Sequence, residues 1–288
     1  MAEATAPGVV SVLGAGAMGA GIAQACATAG HTVHLVDADP DALTRSRAAI
    51  EDSLVRLVRK GSLDEAGVAR TLANVHGGGD LRSAVSAADV VIEAVTEDLE
   101  VKRGLWRQVA AHARAGTLLA TNTSSLSVTE IASFGGDPAA SCGLHFFNPV
   151  PLLPLVEVVR GEHTSDATVA RAVAFVAGIG KTPIVCRDTP GFIVNRLLIP
   201  YLNDAVHAYA EGVATAADLD AAMTLGANLP LGPLALVDLI GLDVTLAAIE
   251  ALHRETGDPR FRPAPLLRRM VRAGKLGRKR GEGFHRYA

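Results

Sequence analysis

A histidine and a glutamate stand in two neighbouring apolar segments, where their side chains could do acid–base chemistry. His145 comes at the end of the apolar run Ser141–Phe146, directly before a proline-rich loop. Glu157 lies between Val156 and Val158 in the next apolar run, where a buried carboxylate without a partner would be costly. Because imidazole titrates near neutral pH and can satisfy such a carboxylate, the two residues predict a paired acid–base catalyst.

Two further polar residues are of types that bind substrate oxygens. Ser124 belongs to the segment Asn-Thr-Ser-Ser, and Asn195 stands in an apolar segment near the start of the last third of the chain. Each of these residues also fits a structural role, since a histidine in an apolar strand is often part of the core and a serine or asparagine often caps a helix. Sequence spacing alone leaves both interpretations open.

A glycine-rich turn precedes these residues. Gly14, Gly16 and Gly19 follow an apolar segment and open a small-residue helix, and Asp37 stands at the end of the next apolar segment. In such a turn the first glycine permits a tight bend, the second lets a pyrophosphate approach the backbone, and the third lets the helix pack closely on the strand. Asp37 would accept hydrogen bonds from an adenosine ribose and repel a 2′-phosphate, and no arginine follows it directly. The sequence therefore predicts an NAD site; the alternative is a turn without a ligand.

The elements that must position these residues alternate between strands and helices. Apolar runs bounded by glycine, proline or polar residues indicate strands, and apolar residues at helical spacing indicate amphipathic helices. Such alternation predicts an α/β fold with a parallel, doubly wound sheet. The predicted strands are Val9–Leu13, Thr32–Val36, 88–95, Leu118–Thr121, Ser141–Phe146 and 155–159, and the predicted helices are 18–29, 40–60, 64–74, 101–113 and 128–134. One more helix–strand pair is expected to end near Cys186.

The character of the chain changes near Asp188. Helical patterns follow at 193–211, 216–225, 234–254 and 264–273, with glycine and proline at the breaks. A chain of 288 residues is long enough for two domains. We therefore predict a Rossmann-like dinucleotide-binding domain over residues 1–187 and an all-helical domain over residues 188–288.

Composition narrows the class of protein. With 49% hydrophobic residues and a net charge of −3, the chain can bury a large core and has no overall basic field that would recruit nucleic acid. The three cysteines are far apart among apolar residues, which predicts reduced core thiols and neither a disulfide nor a metal site. The N-terminus lacks a basic region, and no run approaches the ~18 apolar residues that cross a bilayer. We expect a cytoplasmic small-molecule enzyme without a membrane or nucleic-acid partner; the basic run at 275–280 is interpreted as a solvated terminus.

The segments around the polar residues resemble those of the short-chain L-3-hydroxyacyl-CoA dehydrogenases, particularly the bacterial 3-hydroxybutyryl-CoA dehydrogenases. The resemblance runs nearly end to end and is clearest in ATNTSSLSVTEIAS, GLHFFNPVPLLPLVEVV and DTPGFIVNRLL. It implies that Ser124, His145, Glu157 and Asn195 form the active site, with His145 as the base and Glu157 as its partner. In the second domain, Leu231 and His285 stand where a methionine and a tyrosine are expected.

The same resemblance implies further contacts. Ser53 and Lys60 match positions that bind the coenzyme A nucleotide, although a solvated polar stripe would also explain them. The helical domain, residues 188–288, is expected to bind substrate and to build a homodimer. Four residues are expected to contact the nicotinamide half of NAD, two of which could instead be solvated charges at a helix start: Glu97, Lys102, Asn122 and Asn148.

Together these observations predict a reaction. We expect an NAD-dependent oxidoreductase of fatty acid metabolism that interconverts a short-chain (S)-3-hydroxyacyl-CoA, such as 3-hydroxybutyryl-CoA, and its 3-oxoacyl form. One alternative is a related dehydrogenase that acts on an acyl carrier protein thioester or on a free hydroxy acid. Another is a dinucleotide-binding protein without catalytic activity.

Overall fold

The chain divides into two units between Thr189 and Pro190, close to the predicted boundary after residue 187. The structure is a computed structural model, and it describes residues 8–287. The expected absence of a signal peptide concerns the N-terminus, and residues 1–7 lie outside the described part of the chain. No helix of the described residues is both long and apolar enough to cross a membrane.

The first unit is built on a single sheet, whose eight strands within the described residues run in the order β3-β2-β1-β4-β5-β6-β7-β8. Every neighbouring pair is parallel except β6 and β7, which are antiparallel. The strands are β1 Val9–Leu13, β2 Thr32–Val36, β3 Val75–Gly78, β4 Val90–Glu93, β5 Leu118–Thr121, β6 Ser141–Phe146, β7 Leu155–Arg160 and β8 Thr182–Arg187.

Helices cover both faces of this sheet, because alternate strand residues point to opposite faces and both sets are apolar. One buried cluster contains Val12 and Val33, and the other contains Leu13, Val91 and Trp106, the only tryptophan of the chain. Most helices begin at an aspartate or serine whose side chain accepts a backbone N–H. The helices are α1 Ala17–Thr28, α2 Pro40–Arg59, α3 Glu65–Ala73, α4 Leu81–Ala87, α5 Leu99–His112, α6 Val128–Ala132 and α7 Asp166–Gly178.

The second unit is helical and has its own apolar core. Its helices are α8 Val194–Ala210, α9 Ala216–Gly226, α10 Pro233–Ile240, α11 Leu242–Thr256 and α12 Pro265–Arg272. Asp238 is 1% exposed and accepts hydrogen bonds from the backbone N–H groups of Phe284 and His285 and from the Tyr287 hydroxyl. The His285 ring lies 2.7 Å from a carboxylate oxygen of Asp220. The histidine that stands in place of the expected tyrosine thus has an acidic partner.

The fold class is confirmed, and the differences are local. Strand β3 and helix α4 were not predicted, and the strand predicted over 88–95 is shorter. The helix predicted over 234–254 is two helices, because Gly241 between them has a φ of 106°. The sheet is not entirely parallel: eight loop residues, 147–154, join β6 to β7, and a parallel return needs a crossover of about a dozen residues or more.

Candidate active site

His145 and Glu157 form a buried hydrogen-bonded pair in the first unit. They stand directly opposite each other in the antiparallel ladder of β6 and β7, and His145 Nδ1 lies 2.6 Å from Glu157 Oε2. The histidine is 5% exposed and the glutamate 0%. Because an ionised carboxylate only accepts hydrogen bonds, Nδ1 carries the proton in this pair and Nε2 keeps the lone pair that can take a proton.

The antiparallel turn is what brings this pair together. Residues directly opposite on an antiparallel pair point to the same face, with their Cβ atoms about 5 Å apart. His145 is the penultimate residue of β6, so it lies near the edge formed by the carboxyl ends of the parallel strands. Ligands of doubly wound sheets bind at that edge. The Phe147 ring, with its centroid 4.4 Å from that of the imidazole, packs against the histidine as the loop begins.

The glycine loop lines a cleft of about 740 Å³ at the same edge. A Cβ atom on Gly14, whose φ is 107°, would lie 2.6 Å from the Ala94 carbonyl oxygen, and one on Gly19 would overlap the Gly14 carbonyl. A Cβ on Gly16 would meet nothing within 4 Å, so the backbone there is open to the cleft. Asp37 Oδ2 accepts the Ala15 N–H at 2.7 Å. These residues fit a dinucleotide, with its pyrophosphate at the N-terminus of α1 and a ribose at Asp37.

An arginine in the same cleft was not anticipated from the sequence. Arg45 and Asp39 line the cleft beside Asp37, and Arg45 Nη2 lies 3.0 Å from Asp39 Oδ2. The signal in the sequence is the helix that begins at Pro40. The first turns of this helix run along the cleft, so a residue near position 45 comes to lie beside Asp39.

A second buried charge network lies beside the cleft. Lys102 Nζ donates to Glu93 Oε1 at 2.7 Å, and both side chains are 1% exposed. It also lies 3.4 Å from Glu97 Oε2. Lys102 is therefore not a solvated charge at a helix start. Glu93 was not predicted; its position at the end of β4, directly after three apolar residues, is the signal that could have identified it.

Glu97 fixes the loop that carries Ser124. One carboxylate oxygen, Oε1, accepts the Thr123 hydroxyl at 2.6 Å and the backbone N–H groups of Ser124 at 2.8 Å and Ser125 at 3.0 Å. Burial alone would raise the pKa of Glu97, but the Lys102 charge and these hydrogen bonds outweigh burial and lower the pKa below its ordinary value. Glu97 therefore stays ionised and holds the Ser124 backbone in place.

The other predicted site residues have varied surroundings. Asn122 Oδ1 accepts the Phe146 N–H at 2.9 Å, beside His145, whereas Asn148 is exposed in the loop after β6. Ser53 and the exposed Lys60 lie two turns apart at the end of α2. Asn195 belongs to the second unit, in the first turn of α8.

Within the described residues, the cysteines form no disulfide and the side chains that could bind a metal form no cluster. All three cysteines are free, and burial raises the pKa of the Cys26 and Cys142 thiols to about 12. Within residues 8–287, no group of three or more histidine, cysteine, aspartate or glutamate side chains is placed to hold a metal ion.

Comparison with known proteins gives two matching family models. The model of the 3-hydroxyacyl-CoA dehydrogenase NAD binding domain matches residues 9–189, and that of the C-terminal domain matches residues 191–287. A probable 3-hydroxybutyryl-CoA dehydrogenase of Deinococcus radiodurans is 46% identical over 276 residues, which are 96% of this chain and 99% of that protein. The mitochondrial hydroxyacyl-coenzyme A dehydrogenase of Sus scrofa is 45% identical over 96% of this chain and 90% of that protein. The crystal structure of (S)-3-hydroxybutyryl-CoA dehydrogenase PaaH1 from Ralstonia eutropha superposes with a TM-score of 0.93 at 43% identity, covering 98% of this chain and all of that one.

The buried network predicts a large stability difference between two glutamates. Glu93→Gln removes one partner of a buried ion pair, which costs roughly 3–5 kcal/mol when the remaining charge is left unmatched. The cost should fall at the lower end, because Glu97 remains near Lys102. Chemical unfolding followed by circular dichroism measures the change.

The matched control for this prediction is Glu100→Gln on α5, the helix that carries Lys102. Glu100 is 76% exposed and lies 3.5 Å from Arg103, so its loss should change the free energy of unfolding by no more than about 0.5 kcal/mol. In the double variant Glu93→Gln/Lys102→Met both charges are gone, and much of the lost stability should return. Equal effects of the two single glutamate variants would contradict the prediction.

Proposed function

The chain belongs to the 3-hydroxyacyl-CoA dehydrogenase family, and we propose that it interconverts a short-chain (S)-3-hydroxyacyl-CoA and the 3-oxoacyl-CoA with NAD as coenzyme. The observation that carries the proposal is the buried 2.6 Å hydrogen bond between His145 and Glu157, at the edge of the sheet that also carries the glycine loop. The names of the relatives support the substrate class.

The chain's own residues supply the acid–base chemistry. Bound NAD provides the acceptor for the hydride of the alcohol carbon. His145 Nε2 takes the hydroxyl proton, and Glu157 at Nδ1 stabilises the imidazolium that forms and keeps the ring oriented. In the reducing direction the imidazolium returns the proton to the forming alkoxide. A base that is buried and already oriented loses little entropy when the substrate binds.

The remaining site residues bind and orient the substrate and the coenzyme. Ser124 and Asn195 hold substrate oxygens; the fixed backbone of Ser124, anchored by Glu97, supports the first assignment, and the family resemblance supports the second. Gly14, Gly16, Gly19 and Asp37 hold the pyrophosphate and the adenosine ribose. On the strength of the family resemblance, we assign four residues to the nicotinamide end: Glu97, Lys102, Asn122 and Asn148.

The acid–base pair predicts strongly non-additive kinetics. His145→Ala should reduce turnover about 10²- to 10⁴-fold, the usual contribution of a positioned general acid–base, and Glu157→Gln should also reduce it strongly. Because the two residues act as one unit, the double variant should be little worse than His145→Ala. NADH oxidation with acetoacetyl-CoA measures the rates.

The same assay provides a control variant and the outcomes that would contradict the proposed pair. His76 is an exposed histidine on β3, and His76→Ala should leave turnover unchanged. If the two defects multiply fully in the double variant, His145 and Glu157 do not act as a pair. A wild-type protein that binds NADH but shows no turnover on any thioester or free hydroxy acid would favour the non-catalytic alternative.

Lys60 predicts selectivity for the coenzyme A end of the substrate. We propose that Ser53 and Lys60 meet its nucleotide, because they share one face at the end of α2 and Lys60 is exposed. A single exposed lysine–phosphate contact contributes on the order of 1 kcal/mol, so Lys60→Glu should raise the KM for acetoacetyl-CoA about tenfold at low salt and less at high salt. The acetoacetyl thioester of N-acetylcysteamine, which lacks the nucleotide, should be unaffected.

The control for Lys60 is Arg59→Glu, which changes the net charge equally but points about 100° away around the helix. It should change the KM for acetoacetyl-CoA far less. Equal losses on both thioesters, or none on either, would remove Lys60 from the site. A preference for an acyl carrier protein thioester or for the free acid in the same assays would establish the alternative substrate class.

We also propose that the protein is a homodimer whose contacts lie in the second unit. We further propose that it is a cytoplasmic enzyme of fatty acid metabolism. Exposed apolar side chains of the second unit support a contact surface, since Leu197 is 71% and Leu225 87% exposed. Three free cysteines fit a reducing compartment. Light scattering after size-exclusion chromatography should give twice the 29.7 kDa chain mass, and a monomer at micromolar concentration would refute the dimer.

A further inference from the structure

Arg45 lies in the coenzyme cleft beside two aspartates that face the same space. Its side chain is 69% exposed, and its guanidinium lies 3.0 Å from Asp39 Oδ2. Asp39 in turn donates its backbone N–H to Asp37 Oδ1 at 2.9 Å. The three residues therefore form one connected row along the cleft, from the ribose acceptor Asp37 to the arginine.

The position of Arg45 relative to Asp37 is fixed by the fold. Ser46, the next residue on α2, is 3% exposed and donates its hydroxyl to the Ala15 carbonyl oxygen in the glycine loop. Asp37 accepts the Ala15 N–H from the other side. Because the same loop residue holds both, Arg45 cannot slide along the cleft without breaking these hydrogen bonds.

Arg45 has the chemistry of a phosphate-binding residue. A guanidinium pairs with phosphate through two parallel N–H groups, and an arginine near the ribose is how dinucleotide folds accommodate a 2′-phosphate. Here two carboxylates oppose the binding of a 2′-phosphate by Arg45. Asp37 places a negative charge where that phosphate would go, and Asp39 occupies the guanidinium. Arg45 holds the pKa of the Asp39 carboxyl below its usual range, so Asp39 is charged at neutral pH.

We propose that Arg45 is a masked binding site for a ribose 2′-phosphate, and that Asp39 acts with Asp37 to keep the cleft selective for NAD over NADP. Asp37 excludes the phosphate directly, and Asp39 excludes it by neutralising the charge of Arg45. The pair between Asp39 and Arg45 is exposed to solvent and therefore weak, so a phosphate dianion can displace Asp39 once Asp37 is gone. The inference rests on the proposed function only for the binding of a dinucleotide in this cleft.

A neighbouring arginine provides the matched control. Arg47 lies on the same helix two residues further on, where its Nε donates to Glu51 at 2.8 Å and its Nη1 to the Leu72 carbonyl at 3.1 Å. It does not line the cleft. Loss of Arg47 removes the same charge from α2 without touching the proposed site.

The test measures binding of NADPH and NADH by the fluorescence of the reduced nicotinamide, with no turnover required. Asp37→Ser should weaken the preference for NADH, and adding Asp39→Asn should tighten NADPH binding by a further factor of about ten, the usual effect of one charge-assisted contact. Adding Arg45→Ala to this double variant should abolish the gain, whereas adding Arg47→Ala should leave it. Within the Asp37→Ser background, the changes at Asp39, Arg45 and Arg47 should leave the NADH affinity within a few-fold, which reports an intact cleft.

A second comparison leaves Asp37 and the glycine loop untouched. Asp39→Asn alone should bind NADPH a few-fold more tightly than Asp39→Asn/Arg45→Ala. No gain from Asp39→Asn in either background, or a gain that survives Arg45→Ala, would overturn the inference. NADH binding without reduction of acetoacetyl-CoA would refute the proposed reaction while the inference stands, and a wild-type protein that binds neither dinucleotide would refute both.

Discussion

A fully buried carboxylate needs a hydrogen-bond donor, because burial removes its water. In the first unit, His145 provides such a donor to Glu157. The match depends on the register of two strands, since a slip of one residue would turn one side chain to the opposite face of the sheet. A glycine in β6 lets the neighbouring elements approach closely. A Cβ atom on Gly143, two residues before His145, would lie 2.7 Å from the Val159 side chain and 2.9 Å from that of Val128. Glycine at this position lets β7 and α6 pack closely on the strand that carries His145.

The same principle of matched buried charge organises the neighbouring strand ends. Lys102 joins Glu93, at the end of β4, to Glu97, which holds the Ser124 backbone. The residues between the two glutamates form one wall of the dinucleotide cleft. The wall of the cleft and the loop that carries Ser124 are thus both connected to the buried ammonium group of Lys102. Unlike an exposed ion pair, a fully buried one tolerates little displacement, because each charge has lost its water.

The fold was largely predictable because its strongest elements have clear local signals. β1, β2, β5 and β6 have the predicted bounds, since short apolar runs between turn residues define them. β3 was missed because its sequence, Val-His-Gly-Gly, has little strand propensity and because it is an edge strand that pairs with β2. Gly241 was too isolated a signal to divide a long helical pattern in sequence.

The site was less predictable than the fold. Family membership is confirmed, and the residues that the resemblance picked out include the close pair His145 and Glu157. Glu93 and Arg45 escaped notice because burial and cleft position are tertiary properties: the charge of Glu93 is matched nine residues on, and Arg45 reaches the cleft only through the path of α2. The antiparallel turn, by contrast, could have been inferred from the length of the loop 147–154.

The single tryptophan makes the first unit optically distinct. Trp106 is 2% exposed and stands one helical turn from Lys102, while the second unit contains no tryptophan. Intrinsic fluorescence therefore reports the environment of the first unit, whereas the far-ultraviolet dichroism of helices reports both. Unfolding curves recorded by the two probes coincide only if the units unfold together. Trp106 is thus an intrinsic probe that can show whether the two units unfold cooperatively.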